Sequence, residues 1–260
     1  MKAWIIGDSF GVPNITSKWY DKANSEFYQG LLPGNDIVKG NEWTKQVAES
    51  LGYEYSIATN FSSRGCSNES ILHKIDWLLD NMFNSEDILI IIPTTSNRFM
   101  YKDLKHIKQF KFDNIEEIHM PTAGGVNTHI PVIDEYNTLH RDHNYEEYKM
   151  ISTFDKLLSH LKLHKIKYLF CPGMWTCKQD QDSNFLEGYT PTNIDLTFPA
   201  YDIGLEADKD YAENLLKRKI NADEKWIYDH FAVADLYTNH MTHIGNNTYA
   251  EAVIEWFNDK

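Results

Sequence analysis

Short, nearly unbroken apolar runs alternate along this chain with longer stretches whose apolar positions recur every three or four residues. Residues 2–6 form the first run, closed by Gly7. A second covers 53–58, a third is Ile88-Leu89-Ile90-Ile91-Ile92 within 87–92, stopped by Pro93, and a fourth covers 165–171, ended by Pro172-Gly173. Runs of this length predict strands, and the third reads as a central parallel strand covered on both faces. Between them, 41–51 carries Trp43, Val47, Ala48 and Leu51 at helical spacing and is closed by Gly52. The stretch 68–83 places Ile71, Leu72, Ile75, Leu78, Leu79 and Met82 on one helical face. Helices are likewise predicted over 146–164 and 246–257, with a short segment over 226–233. Strand–helix alternation implies a parallel sheet between two helical layers, an α/β/α architecture.

Two sections break the alternation. Residues 99–143, with Pro121, Gly124-Gly125 and Pro131, and about 178–225, polar and Pro/Gly-punctuated over 179–210, read as loop insertions in a single domain spanning 1–260. A chain of 260 residues buries a core large enough to fold without a disulfide or metal. Cys66, Cys171 and Cys177 make no CxxC and no paired framework, so the expectation is reduced thiols and a cytoplasmic protein. The apolar run at the N-terminus is too short for a signal peptide, and none approaches the roughly 20 residues that span a bilayer. The net charge of −13 is spread along the chain and opposes binding to nucleic acid or anionic membranes. It leaves a small polar or carbohydrate substrate open.

Ligands of open α/β sheets bind beyond the carboxyl ends of the strands. Polar residues cluster there. Gly7-Asp8-Ser9-Phe10-Gly11 follows the first run, and Asn60 with Ser62 to Asn68 follows the second. Pro93-Thr94-Thr95-Ser96-Asn97-Arg98 follows the third, and Asn239-His240-Met241-Thr242-His243-Ile244-Gly245 precedes the last helix. Acyl transfer requires an activated hydroxyl, a base, a group that orients the base, and donors for an oxyanion. Ser9 at a strand-to-helix turn suits the first role, although Asp8 or Ser9 would also serve as a helix N-cap. Gly65 lets its N–H approach a substrate, and the Asn97 amide is a neutral donor.

Gly7-Asp8-Ser9, Gly65, Asn97 and a C-terminal histidine, in that order, resemble the four sequence blocks of SGNH (GDSL-like) hydrolases. The resemblance spans most of the chain thinly. It implies a flavodoxin-like three-layer fold and an esterase, lipase, thioesterase or carbohydrate O-deacetylase activity without a cofactor. By that resemblance Ser9 is nucleophile and first oxyanion donor, with Gly65 and Asn97 as the second and third. The family's last block places the base five residues before a glycine that precedes an alanine by five. Gly245 and Ala250 fit, which selects His240 over His243.

The departures are specific. Tyr237 stands where the family has aspartate, so Asp235 or a backbone carbonyl would orient His240. Thr95-Ser96-Asn97-Arg98 replaces Gly-x-Asn-Asp, keeping Asn97 and adding in Arg98 a cation for an anionic or carbohydrate substrate. The alternative is an inactive module of the same fold that binds or assembles. His240/His243 and His140/His143 have i,i+3 spacing, but no fixed further ligand accompanies them, and no metal is expected. Trp19, Tyr20, Trp175, Phe185, Tyr189 and Tyr201 read as loop packing, with sugar stacking as the functional alternative. The Asn-, Lys- and Ile-rich composition suits an AT-rich bacterium or a tailed phage, in whose genomes similar Gly-Asp-Ser proteins occur; phage origin would allow a virion-associated site.

Overall fold

In the computed structural model, the structure describes residues 1–8, 11, 42–62, 66–94, 99–100, 108–112, 115–119, 122–123, 135, 143–173, 190–207, 210, 241 and 243–260. The protein is mixed α/β, built on a parallel three-stranded sheet. Strand β1 (Ala3–Gly7) pairs with β2 (Ile88–Ile92) in the register Ala3–Ile88 to Gly7–Ile92. On its other side β2 pairs with a strand at Lys167–Phe170, in the register Ile88–Lys167 to Ile91–Phe170. Every residue of β1 and β2 is buried, as continuous apolar runs covered on both faces require.

Alternation of side chains along these strands divides the core in two. Ala3, Ile5, Ile88, Ile90, Ile92, Leu169 and Cys171 face one way, against Trp43, Val47 and Ala48 of α1 (Trp43–Ser50) and Tyr249, Ala250 and Val253 of the C-terminal helix. Trp4, Ile6, Leu89, Ile91 and Phe170 face the other, against Ile71, Ile75 and Leu78 of α2 (Asn68–Asn81) and Ile151, Phe154 and Leu158 of α3 (His143–Leu163). Each Val, Leu, Ile or Phe side chain among them contributes about 1.5–3 kcal/mol on full burial, so both helical faces hold the sheet.

The helix limits follow local chemistry. Helix α1 ends at Gly52, which takes φ +80° and donates its N–H to Glu49 O at 3.0 Å, a left-handed C-terminal stop. Ser67 caps α2 by accepting the Ser70 N–H at 3.3 Å.

The run at 53–58 is not a full strand. It touches β1 only through isolated parallel bridges, Lys2 with Glu54 and Ile5 with Asn60. Between these, Ile57–Thr59 coils into a 3-10 turn because Ser56 and Thr59 bond each other's backbone, Thr59 Oγ1 to Ser56 O at 3.0 Å. The segment still occupies the edge next to β1, so the spatial order is edge segment, β1, β2 and the Lys167–Phe170 strand.

Residues 99–143, read as a loop, contain paired strands. Strand β3 (Phe99–Met100) pairs antiparallel with β6 (Thr122–Ala123), and β4 (Lys108–Phe112) pairs antiparallel with β5 (Ile115–His119). The strand at Lys167–Phe170 is therefore β7. Asp113-Asn114, which separate the paired Phe112 and Ile115 in sequence, are residue types that turns favour. The polar stretch 179–210 is also more than loop: Ile194, Phe198 and Tyr201 are buried, and residues 202–207 are helical. Asp155 of α3 holds this segment, accepting from Thr192 N at 3.0 Å, Thr192 Oγ1 at 3.1 Å and Asn193 N at 2.6 Å. The last helix, α4 (His243–Asn258), begins three residues before the predicted 246, so His243 is its first residue. Among the described residues no helix is long and apolar enough to cross a membrane.

Candidate active site

Helices α1 to α4 begin at the carboxyl end of the strands. At the amino end, α1 runs back to β1, with Tyr53 N–H on Ala48 O at 2.9 Å and Glu54 N–H on Met1 O at 3.0 Å. At the other end, Trp43 N–H donates to Asn246 Oδ1 at 3.3 Å, which brings the first turns of α1 and α4 together. Asn68, the first residue of α2, reaches Thr94, two residues past the end of β2. Positive helix ends and the side-chain amides of Asn68 and Asn246 thus gather on the rim where the strands finish. Opposite, Asp87 closes the amino end by accepting from Lys2 N at 2.7 Å and Trp4 Nε1 at 2.9 Å.

The strand order makes this rim a binding crevice. After β1 the chain passes to the edge segment on one side; after β2 it passes to β7 on the other. The connections therefore diverge between β1 and β2, the point where ligands enter open α/β sheets. Asp8, which follows Gly7 of β1, is fully buried there and accepts the Thr94 hydroxyl at 3.0 Å. Thr94, also fully buried, is gripped by the Asn68 side chain twice: its N–H donates to Oδ1 at 2.9 Å, and its carbonyl accepts from Nδ2 at 2.7 Å. The Asn68 amide so acts as a substitute ladder partner for the backbone just beyond β2.

Close approach dictates the glycines beside Asp8. A methyl group on Gly7 would lie 2.7 Å from Ile92 O in the paired strand. One on Gly11 would lie 2.7 Å from Ile92 Cδ1 and collide with the Ser62 hydroxyl. Gly11 returns its N–H to Asp8 O at 3.1 Å, while its carbonyl accepts Asn60 Nδ2 at 2.7 Å. Asn60 Oδ1 takes the Ser62 N–H at 3.0 Å. From α2, the buried Lys74 ammonium donates to Phe61 O at 3.0 Å and lies 3.8 Å from Cys66 Sγ. Both ends of the connection that carries Gly65 are thereby tied to α2.

Asn60 Nδ2 also lies 3.4 Å from the Tyr55 hydroxyl, which donates to Glu42. Burial pushes the Glu42 carboxyl above its ordinary value, against the pull of the Tyr55 hydrogen bond and Lys45. Burial, then the Glu42 contact, pushes the Tyr55 phenol upward as well. Tyr55 is thus a neutral donor across the working range, and it props Asn60 under Gly11.

Ser9, Gly65, Asn97, Arg98, Asp235 and His240 lie outside the described residues, as do Tyr237, Thr95 and Ser96. Their chain neighbours are placed. Asp8 precedes Ser9, Cys66 follows Gly65, Thr94 stands three before Asn97, and Met241 follows His240. Met241 is buried in the α1–α4 cluster, and its carbonyl accepts Asn246 Nδ2 at 2.9 Å, again at the rim end of α4. Tyr201 is not a surface stacking platform: it is fully buried, stacked on Tyr249 at 4.6 Å and edge-on to Trp43 at 6.1 Å. The other five loop aromatics named above lie outside the described residues.

Sequence reading passed over the pairing of Asp8 with Thr94 and the role of Lys74. The signal for Lys74 was present: it shares the apolar stripe of Ile71, Ile75 and Leu78, a position a lysine occupies only with a partner. No family model, curated protein or solved structure matches the chain.

Proposed function

We propose that the protein is a serine acylhydrolase of the SGNH type, cleaving a carboxylic ester or an O-acetyl group, including one on a carbohydrate. The observation that carries this reading is the junction of Asp8 and Thr94 across the crevice between β1 and β2. It joins Asp8, the neighbour of Ser9, to Thr94, three residues before Asn97, and so links two of the four stretches whose order resembles the SGNH blocks. The order of edge segment, β1, β2 and β7 supports the flavodoxin-like arrangement that the resemblance implies.

In this reading the substrate carbonyl oxygen meets the Ser9 and Gly65 N–H groups and the Asn97 amide. His240, oriented by Asp235 or a backbone carbonyl, removes the Ser9 proton as the hydroxyl attacks. The alcohol leaves with that proton, and water releases the acyl group by the reverse sequence. Each oxyanion donor is worth about 2.7–4 kcal/mol of barrier. Arg98 contributes affinity for an anionic or sugar-bearing leaving group.

The test is hydrolysis of p-nitrophenyl acetate, longer p-nitrophenyl esters and acetylated sugars by wild type, Ser9→Ala and His240→Ala. Wild-type turnover with both variants at background is the expected outcome. A wild type inert on every ester, and unlabelled at Ser9 by a fluorophosphonate, would move the assignment to an inactive binding module.

A further inference from the structure

The preceding reading requires oxyanion donors from separate loops to keep fixed mutual positions. None of these donors can hold itself. Asp8, Thr94 and Asn68 lie far apart in sequence, each next to or within a few residues of a different proposed donor: Ser9, Asn97 and Gly65. All three are buried at 0%, 0% and 6% relative exposure, and hydrogen bonds join them through Thr94.

We infer that Thr94 is the positioning residue of this site: its hydroxyl, held by Asp8, and its backbone, held by Asn68, lock the chain just past β1, the first turn of α2 and the chain just past β2 into one rigid unit. The inference rests on the acylhydrolase reading for its catalytic consequence, but the locking itself is a separate claim.

The chemistry favours these residue types. Beyond Ile92 the backbone enters Pro93, which has no N–H, so regular pairing of β2 stops there. Thr94 is the first position past it that needs a donor and an acceptor, and the Asn68 carboxamide is the one uncharged side chain end that offers both at amide geometry, apart from glutamine. The Thr94 hydroxyl then donates to the Asp8 carboxyl away from water, where a hydrogen bond is electrostatically stronger than at the surface. Threonine also brings one further restriction, since its branched β-carbon limits χ1. The hydroxyl is therefore presented to Asp8 with little rotational freedom. Donors displaced by a few tenths of an ångström from 2.7–3.1 Å lose much of their effect on an oxyanion, so the lock bears on turnover more than on binding.

The experiment uses Thr94→Val, nearly isosteric but without the hydroxyl, Thr94→Ser, which keeps it, and Asn68→Asp, which removes the donor to Thr94 O. Two readouts are taken on the full chain. Amide hydrogen exchange over 8–11 and 94–98 should accelerate together, about tenfold or more, in Thr94→Val and Asn68→Asp and return towards wild type in Thr94→Ser. Ester hydrolysis should show kcat down about 10- to 100-fold in the first two variants with KM within about twofold, and recovery in Thr94→Ser. Exchange confined to one loop, or unchanged, overturns the lock. Loops that open together while kcat holds overturn the positioning role. If wild type hydrolyses nothing, the acylhydrolase reading falls, and the exchange data alone decide the lock. Should Thr94→Val fail to fold, Asn68→Asp and Thr94→Ser carry the same comparison.

Discussion

At the scale of single residues, the carboxyl ends of β1 and β2 are set by contact distance. Gly7 has no room for a β-carbon beside Ile92, whose backbone is its register partner. Gly7→Ala should therefore force the two strands apart and cost about 1–3 kcal/mol, as overpacked sites do. Urea denaturation followed by tryptophan fluorescence would read this as a lower midpoint at unchanged slope; an unshifted midpoint would mean that the strand end yields. The Gly-Asp-Ser motif thus contains two kinds of information. Its glycine answers to packing and its aspartate to Thr94, and both were legible as residue types in the sequence. Their partners were not, because Asp8 and Thr94 are 86 residues apart and nothing local in either segment announces the pairing. Lys74 was the exception, a charge on an apolar stripe that betrayed an internal partner.

Elements show where periodicity speaks and where it is overruled. The continuous apolar runs of β1 and β2 left no competing conformation, and their limits emerge within a residue or two. The stretch 53–58, in which Tyr53, Tyr55 and Ile57 alternate with Glu54, Ser56 and Ala58, reads as a strand, yet Ser56 and Thr59 supply side-chain bonds to their own backbone and convert its end into a 3-10 turn. The β4–β5 pair escaped notice because Lys108–Phe112 and Ile115–His119 are short, charged and only partly alternating. Docking of α4 yields an element-scale prediction. Its end is fastened to the 195–198 segment by Lys260 Nζ on Asp195 Oδ2 at 2.6 Å, Trp256 Nε1 on Thr197 Oγ1 at 3.3 Å and the Phe198–Trp256 ring contact at 4.8 Å. The Lys260 hydrogen bond, with those of Thr197, holds the Asp195 carboxyl at about 2 against an ordinary 3.8. The folded chain then binds fewer protons at this site than the unfolded one between those values. The contribution is complete above 3.8 and disappears as pH falls towards 2. Since both side chains are partly exposed, it amounts to no more than about 1 kcal/mol and shrinks with salt. Lys260→Met should move the Asp195 carboxyl resonance in a carbon-detected NMR titration back towards the ordinary midpoint. A midpoint that stays put would assign the shift to Thr197 instead.

Across the whole molecule, the division of labour between the ends of the sheet organises everything else. The amino end is closed by Asp87 on Lys2 and Trp4, while the carboxyl end gathers helix starts, amide side chains and a buried carboxylate. Strand–helix alternation was enough to foresee which end would be polar, because parallel connections oblige each helix to run back over the sheet. It could not foresee that part of the polar stretch after β7 would enter the core through Ile194, Phe198 and Tyr201, since Pro191 and Pro199 break the helix that their spacing of four and three would otherwise suggest.

Two thiols buried among the described residues turn this layered core into its own stopwatch. Cys66 lies in the cluster of α2 and α3, Cys171 in that of α1 and α4, on opposite sides of one sheet, and burial pushes the Cys171 thiol well up. Neither sulfur meets an alkylating reagent until its own side of the protein parts from the strands. Iodoacetamide labelling resolved by peptide mass spectrometry therefore times the two detachments separately. Equal rates at both cysteines would mean that the sheet releases its two coats in a single event. A faster Cys66 would mean that the side bearing α2, and with it the Asn68 grip on Thr94, comes away first.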